Sequence, residues 1–419
     1  MVVAARSSDG EQKSGWRTLG ALWRLGRYRF VVGGFVLYAL GAALARMRGP
    51  VDIGAYFLGQ GFITATQLMT HYSNDYFDIE SDKANATSTT WSGGSGVLLE
   101  GILPPRLARD VALGFGGLAL LFATLICATH HPATGMGVLF VLTLALSWEY
   151  SAPPLRLHAH GLGPPTAAVV VGGLTPLAGY GVQGGPWSYA ILLSVLPVVI
   201  AQFALILVLD FPDAEGDART GKRTLVVILG TGRVVRIAVG AIVLVYAILP
   251  LLIEAPVGRR LLLGVVATLP LGAWLVWTLL RGAWRGRGAK GPLAWRGVLW
   301  FAAVSAAALA GTLMDVARRM EGDRQGAVRR GSQCTQRTLY VFDATSLVVV
   351  PSKKLTSHAL PGVPADGVEV QKAALAGVPG NAVASKAVPS GAPEKSTIVT
   401  SSFIEGRRHA APFRASVEQ

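Results

Sequence analysis

Apolar stretches long enough to cross a bilayer recur along three quarters of this 419-residue chain. A backbone in hydrocarbon must satisfy its own N–H and C=O groups, which leaves only helices and closed barrels. Each stretch is about 17–25 residues, the length of a spanning helix and too long for a barrel strand. They lie near 30–46, 52–72, 110–130, 133–150, 164–182, 188–209, 235–254, 260–280 and 297–314. The sequence therefore predicts an all-α polytopic membrane protein with about nine transmembrane helices arranged around a central cavity. Only 15% of residues are charged, against 51% hydrophobic, which excludes an ordinary soluble enzyme. Pro176 and Pro270 fall inside predicted spans and are expected to kink them.

The formal charge of +14 does not point to nucleic acid. Lys and Arg gather at the N-terminus (Arg24, Arg27, Arg29) and in the 210–234 and 281–296 stretches. That pattern marks loops on the cytoplasmic side. Nine spans would leave the C-terminus outside, against the sense of Arg318 and Arg319. Two cysteines cannot build a disulfide framework or a cysteine-rich metal site. Residues 1–28 read as a basic cytoplasmic segment and 29–316 as the membrane domain. From 321 to 419, Pro, Gly, Ser, Ala and Val dominate without helical period, and a mostly disordered tail is expected. Within it, LYVFDATSLVVV (339–350) is expected to form a strand. The host membrane is either a bacterial plasma membrane or that of an organelle.

Two acidic clusters share one spacing. Asp75, Asp78 and Asp82 recur as Asp210, Asp213 and Asp217, each set i, i+3, i+7. On a helix this places three carboxylates on one face. Each set closes an apolar segment, and six acids at the mouths of membrane helices are costly. The sets lie 210 − 75 = 135 residues apart, as in an internally duplicated membrane protein. Hard oxygen donors in this arrangement suit Mg²⁺ bridging to a phosphate-bearing substrate. Asp75, Asp78, Asp82, Asp210, Asp213 and Asp217 are thus the candidate metal ligands and catalytic acids. Lys222 and Arg223 follow the second set and add positive charge for phosphate. Glu80 and Glu215 point off the shared face and are expected to be solvated. For either motif alone, the plainer reading is a solvated acidic helix end.

These residues resemble the UbiA superfamily of intramembrane prenyltransferases. The first motif reads NDYFDIESD (74–82). The second reads LDFPDAEGD (209–217) and is followed by Gly221-Lys222-Arg223-Thr224-Leu225. YSAPPLRL (150–157) is similar to a third family segment. The resemblance covers residues 15–316. It departs from the family at Leu209, where many members carry Asn, while Asn74 is kept. It implies transfer of a polyprenyl group from its diphosphate to a small aromatic acceptor of the naphthoate or benzoate type. Mg²⁺ would neutralise the leaving group, and Tyr72, Tyr76, Phe77 and Tyr150 would shield an allylic cation. Asn74, Lys222, Arg223, Tyr150 and Arg156 are the implied substrate-binding residues. His71, His158 and His160 stand near these motifs. SGGSGVLLEGILPP (92–105) reads as a cap over the pocket or as a plain connector, and its second half resembles quinone-pathway members. The partners implied are polyprenyl diphosphate, an aromatic acceptor and the bilayer. A cation-coupled secondary transporter and a non-catalytic relative remain as alternatives.

Overall fold

The computed structural model describes residues 8–86, 89–253, 258–334, 339–343, 346–350, 368–374 and 383–389. Helices α1 (Ser8–Leu25), α2 (Tyr28–Arg46), α3 (Ile53–Phe77) and α4 (Ile79–Ala84) lead to the first acidic cluster. Then come α5 (Pro105–Thr129), α6 (Met136–Glu149), α7 (Gly163–Ala167), a π-helical stretch (Ala168–Leu174) and α8 (Thr175–Gly181). α9 (Tyr189–Arg219) carries the second cluster. It is followed by α10 (Leu225–Leu229), α11 (Thr231–Ala247), α12 (Leu249–Ile253), α13 (Arg259–Ala267), α14 (Leu269–Leu280) and α15 (Arg287–Cys334).

All nine expected stretches contain helix, but nine spans are not confirmed. Among the described residues, five helices are long and apolar enough to cross a membrane, or six if the bent pair α13–α14 counts as one. The reasons are local. α3 carries Gln60, Gln67, His71, Asn74 and Asp75, which lower its hydropathy. α6 has 14 residues, a length of about 21 Å. The 164–182 stretch is divided by its π segment, with Pro176 at the start of α8. Pro270 stands at the start of α14, and the axis turns by 42° between α13 and α14. Pro212, by contrast, lies inside an unbroken α9.

Small residues set the packing. A Cβ at Gly41 would strike the Pro176 carbonyl, and one at Gly179 would strike that of Tyr38. These two glycines let α2 and α8 approach backbone to backbone, as membrane helices do where lipid supplies no hydrophobic drive. A core of Leu205, Val208, Phe211, Val234, Leu275 and Trp300 joins α9, α11, α14 and α15. A second, built on Phe62, Ile126 and Phe140, joins α3, α5 and α6. Outward faces are apolar too: Leu120 and Leu121 on α5 and Val138 and Val141 on α6 are exposed. A soluble protein does not display such a surface, and lipid would cover it here.

Met1–Arg319 and Met320–Gln419 are separate units. In the second, Leu339–Asp343 and Ser346–Val350 form two strands where one was expected. β1 (Leu339–Asp343) pairs antiparallel with β2 (Ser346–Val350), and β3 (Val368–Ala374) with β4 (Val383–Pro389). Disorder was expected from 321 onward, yet residues 321–334 continue α15; apart from these and the strands, that expectation falls on residues outside those described.

Candidate active site

The first acidic cluster does not form one continuous helical face. α3 ends at Phe77, and Asp78 takes a non-helical conformation (φ −98°, ψ 6°) before α4 restarts the chain. The three aspartates therefore diverge. Asp75 is held by Arg27 and by the backbone N–H and hydroxyl of Ser95. Asp78 accepts from the Asn74 amide at 2.7 Å and pairs with Lys222 Nζ at 3.0 Å. Asn74 also reaches Ser151 Oγ at 2.8 Å, tying the motif to the YSAPPLRL loop. Asp82 lies against Gly94, which sits at φ +75° with no room for a Cβ.

The second cluster keeps its helix. Asp210 Oδ1 lies 3.3 Å from His158 Nε2. Asp213 accepts from Asn85 Nδ2 at 2.6 Å and from the Gly93 N–H at 3.1 Å. Asp217 lies 3.5 Å from Lys222 Nζ. A close approach of Gly216 to Asn85 brings the two clusters together. Lys222, 8% exposed, thus bridges an acid of each motif.

A cavity of about 380 Å³ opens between the clusters. Asn74, Asp78, Asp82, Asp210, Asp213, Asp217, Lys222, Tyr150 and His158 all line it. Its inner walls are largely apolar, with Val36, Ile63, Leu146, Val170, Leu205 and Phe301. Asp75 does not line it; Arg27 does. Arg223 and Arg156 do not line it either and are exposed. Arg156 sits at φ +43° in a turn outside the pocket, and Arg223 donates its backbone N–H to Ala159. Arg156→Ala should therefore change thermal stability by about 0.5 kcal/mol or less and leave substrate affinity within twofold of wild type, as ligand titration would record.

Burial and charge shift the groups at this mouth. Burial in the acidic cluster raises Asp82 to about 7, with Asp78, Asp75 and Asp213 adding to it and Arg27 opposing. Burial works against the charge of Lys222, but Asp78 and Asp217 outweigh it and hold the ammonium above its ordinary range. Burial likewise opposes the His158 cation, yet its bond to Asp210 raises it. The His158 ring stacks on Tyr150 at 5.1 Å.

Among the described residues, no three His, Cys, Asp or Glu side chains converge closely enough to hold one metal ion. Three of the six aspartates pair with cations: Asp75 with Arg27, and Asp78 and Asp217 with Lys222. The donor set still fits a hard cation. Asp210 Oδ2 and Asp217 Oδ2 are buried without a hydrogen-bond partner, and every donor is a carboxylate oxygen. The sequence reading missed Arg27, Asn85, Ser95 and the Asp210–His158 contact. Their signals were faint: Arg27 lay in a basic cluster, and Asn85 lies three residues beyond the first acidic cluster.

The profile of the UbiA prenyltransferase family matches residues 35–304. The chain is 25% identical over 210 residues to 1,4-dihydroxy-2-naphthoate octaprenyltransferase of Bacillus subtilis, covering 50% of this chain and 66% of that protein. It is 31% identical over 178 residues to chloroplastic chlorophyll synthase of Arabidopsis thaliana, covering 41% and 43%. The matches thus span 43% to 66% of these relatives' own length. A UbiA homolog from Aeropyrum pernix K1, solved in its apo form, superposes with a TM-score of 0.52 at 17% identity over 68% of this chain and 98% of that one. At that identity the likeness concerns the fold.

Proposed function

The chain belongs to the UbiA prenyltransferase family, and on that premise we propose that it transfers a polyprenyl group from its diphosphate to a hydroxylated aromatic acceptor and releases diphosphate. The observation that carries the reading is the cavity between the two clusters. Acids of both motifs meet Lys222 at its mouth, and its interior is apolar. A diphosphate needs concentrated positive charge, and an isoprenoid chain needs dry walls. The naphthoate prenyltransferase of Bacillus subtilis is the relative named above that shares the longest match, which supports a naphthoate-type ring.

Asp78, Asp82, Asp210, Asp213 and Asp217 would hold Mg²⁺, which when bound supplies charge neutralisation for the leaving diphosphate. Lys222 would contribute a hydrogen-bonding cation to the phosphates. Asp75, with Ser95, holds Arg27 in place at the cavity wall. Asn74 orients Asp78. Tyr150 offers a ring face to developing positive charge. The acids sit where helices end beside Lys222, not in mid-span, which favours an enzyme over a transporter. The motif loops would lie on the cytoplasmic side, following their Lys and Arg content.

The test is direct. Protein in lipid with Mg²⁺, a labelled prenyl diphosphate and a panel of ring acceptors should yield a prenylated product by mass spectrometry. Folded protein that yields none with any acceptor overturns the reading.

A pH dependence follows from Asp82. A carboxyl raised to about 7 is neutral below that value, so a cation must displace its proton. Mg²⁺ affinity should climb with pH up to about 7 and level off above it. The sign for stability is the reverse: without metal, the folded state binds the extra proton, so stability falls as pH rises from the ordinary carboxylate range to 7. Asp82→Asn should make both profiles shallower. Calorimetric titration of Mg²⁺ across pH 5.5–8, roughly the window around that midpoint, checks this.

A further inference from the structure

Apart from the carboxylates and His158 at the mouth, three side-chain acceptors of described residues on the cavity wall have no partner: Gln67 Oε1, Gln202 Oε1 and Ser305 Oγ. Gln202 and Ser305 are 5% and 3% exposed, on α9 and α15. Neither lies among the acidic groups at the mouth. Gln202 precedes Asp210 by eight residues, about 12 Å along the helix. On α15 the level of the mouth is marked by Trp295, which stacks at 5.4 Å on Trp91 of the Gly93–Gly94 loop. Ser305 lies ten residues beyond it, about 15 Å further in. Two helices thus place unsatisfied polar groups at similar depth, among Ile63, Leu205 and Phe301.

Filling that depth with hydrocarbon would leave both groups dry and unpaired, at a cost for each. A prenyl chain has nothing to offer them. A ligand bearing O–H groups donates to Gln202 Oε1 and bonds Ser305 in either sense. Building on the proposed transferase reading, we infer that Gln202 and Ser305 form a hydrogen-bonding subsite that takes a ring hydroxyl of the acceptor. The subsite gives specificity. It selects a hydroxylated ring over an unsubstituted one. A site with buried polar groups rejects a ligand lacking the matching hydroxyl more strongly than a greasy pocket rejects an extra one.

The test uses the full chain in lipid nanodiscs with Mg²⁺. Equilibrium binding is measured for 1,4-dihydroxy-2-naphthoate, for 2-naphthoate, and separately for geranyl diphosphate. Wild type should prefer the dihydroxy ring by about tenfold or more. Gln202→Met and Ser305→Ala should each reduce that preference to about threefold or less, with geranyl diphosphate affinity unchanged. Ser305→Thr, which keeps the hydroxyl, should restore it, and thermal midpoints confirm folding. A preference that survives in Gln202→Met and Ser305→Ala overturns the subsite while geranyl diphosphate binding still upholds the transferase reading. Tighter geranyl diphosphate binding in those variants, with ring preference intact, also overturns it and makes the region a chain pocket. Wild type that binds neither ring nor diphosphate defeats the transferase reading itself.

Discussion

Asp210→Asn should abolish prenyl transfer, with a loss in turnover on the order of a thousandfold, the scale seen when a group that stabilises transition-state charge is removed. The substitution is isosteric. Its amide oxygen still accepts from His158 Nε2, so the contact at 3.3 Å can persist. What disappears is negative charge on Oδ2, a buried oxygen with no partner. Such an atom is costly unless a ligand satisfies it. The same change should weaken Mg²⁺ binding while leaving the thermal midpoint near wild type or above it, since a buried charge has gone. Glu215→Gln is the control. Glu215 is on the same helix, facing Arg219 at the surface, and exposed pairs contribute about 1 kcal/mol or less. Full activity in Asp210→Asn would remove the second motif from the chemistry.

Lys222→Met should be the most destabilising single change at the site. The ammonium neutralises Asp78 and Asp217, all three residues being 8% exposed or less. Breaking a buried pair by removing one partner leaves an uncompensated charge and costs about 3–5 kcal/mol. Here one residue serves two acids from opposite halves of the chain, so the junction between α4 and α9 should loosen. Mg²⁺ should then raise the thermal midpoint of Lys222→Met more than that of wild type, because the cation restores what the ammonium supplied. Differential scanning fluorimetry with and without Mg²⁺ reads this. A midpoint and a Mg²⁺ response equal to wild type would mean that Lys222 does not bridge the motifs.

The bridge also explains why the spacing argument located the acids but not their arrangement. The i, i+3, i+7 pattern is a property of one ideal helix. In α9 it holds through Asp217, even past Pro212. In the first cluster the helix stops at Phe77, and Asp75 leaves the cavity wall for Arg27 and Ser95. Nothing within NDYFDIESD announces that break. Arg27 is 48 residues from Asp75, and Asn85 is 128 from Asp213. Local patterns carry no information about partners at such separations. Arg223, named for its nearness to the second motif, and Arg156, named from the family resemblance of its loop, both stand at the surface.

Composition and apolar run length by themselves determined that this chain is helical and belongs in a bilayer, because hydrocarbon tolerates no unpaired backbone. The paired aspartate motifs, with the Lys222 segment, likewise determined the family. Tertiary structure alone decided which acids face the cavity, which cations hold them, and where Gln202 and Ser305 stand unpaired. Those outcomes depend on helix ends, on glycine contacts such as Gly216 against Asn85, and on charges meeting across more than a hundred residues of chain. Burial makes each such meeting decisive, since a charge removed from water must find a partner wherever the fold supplies one.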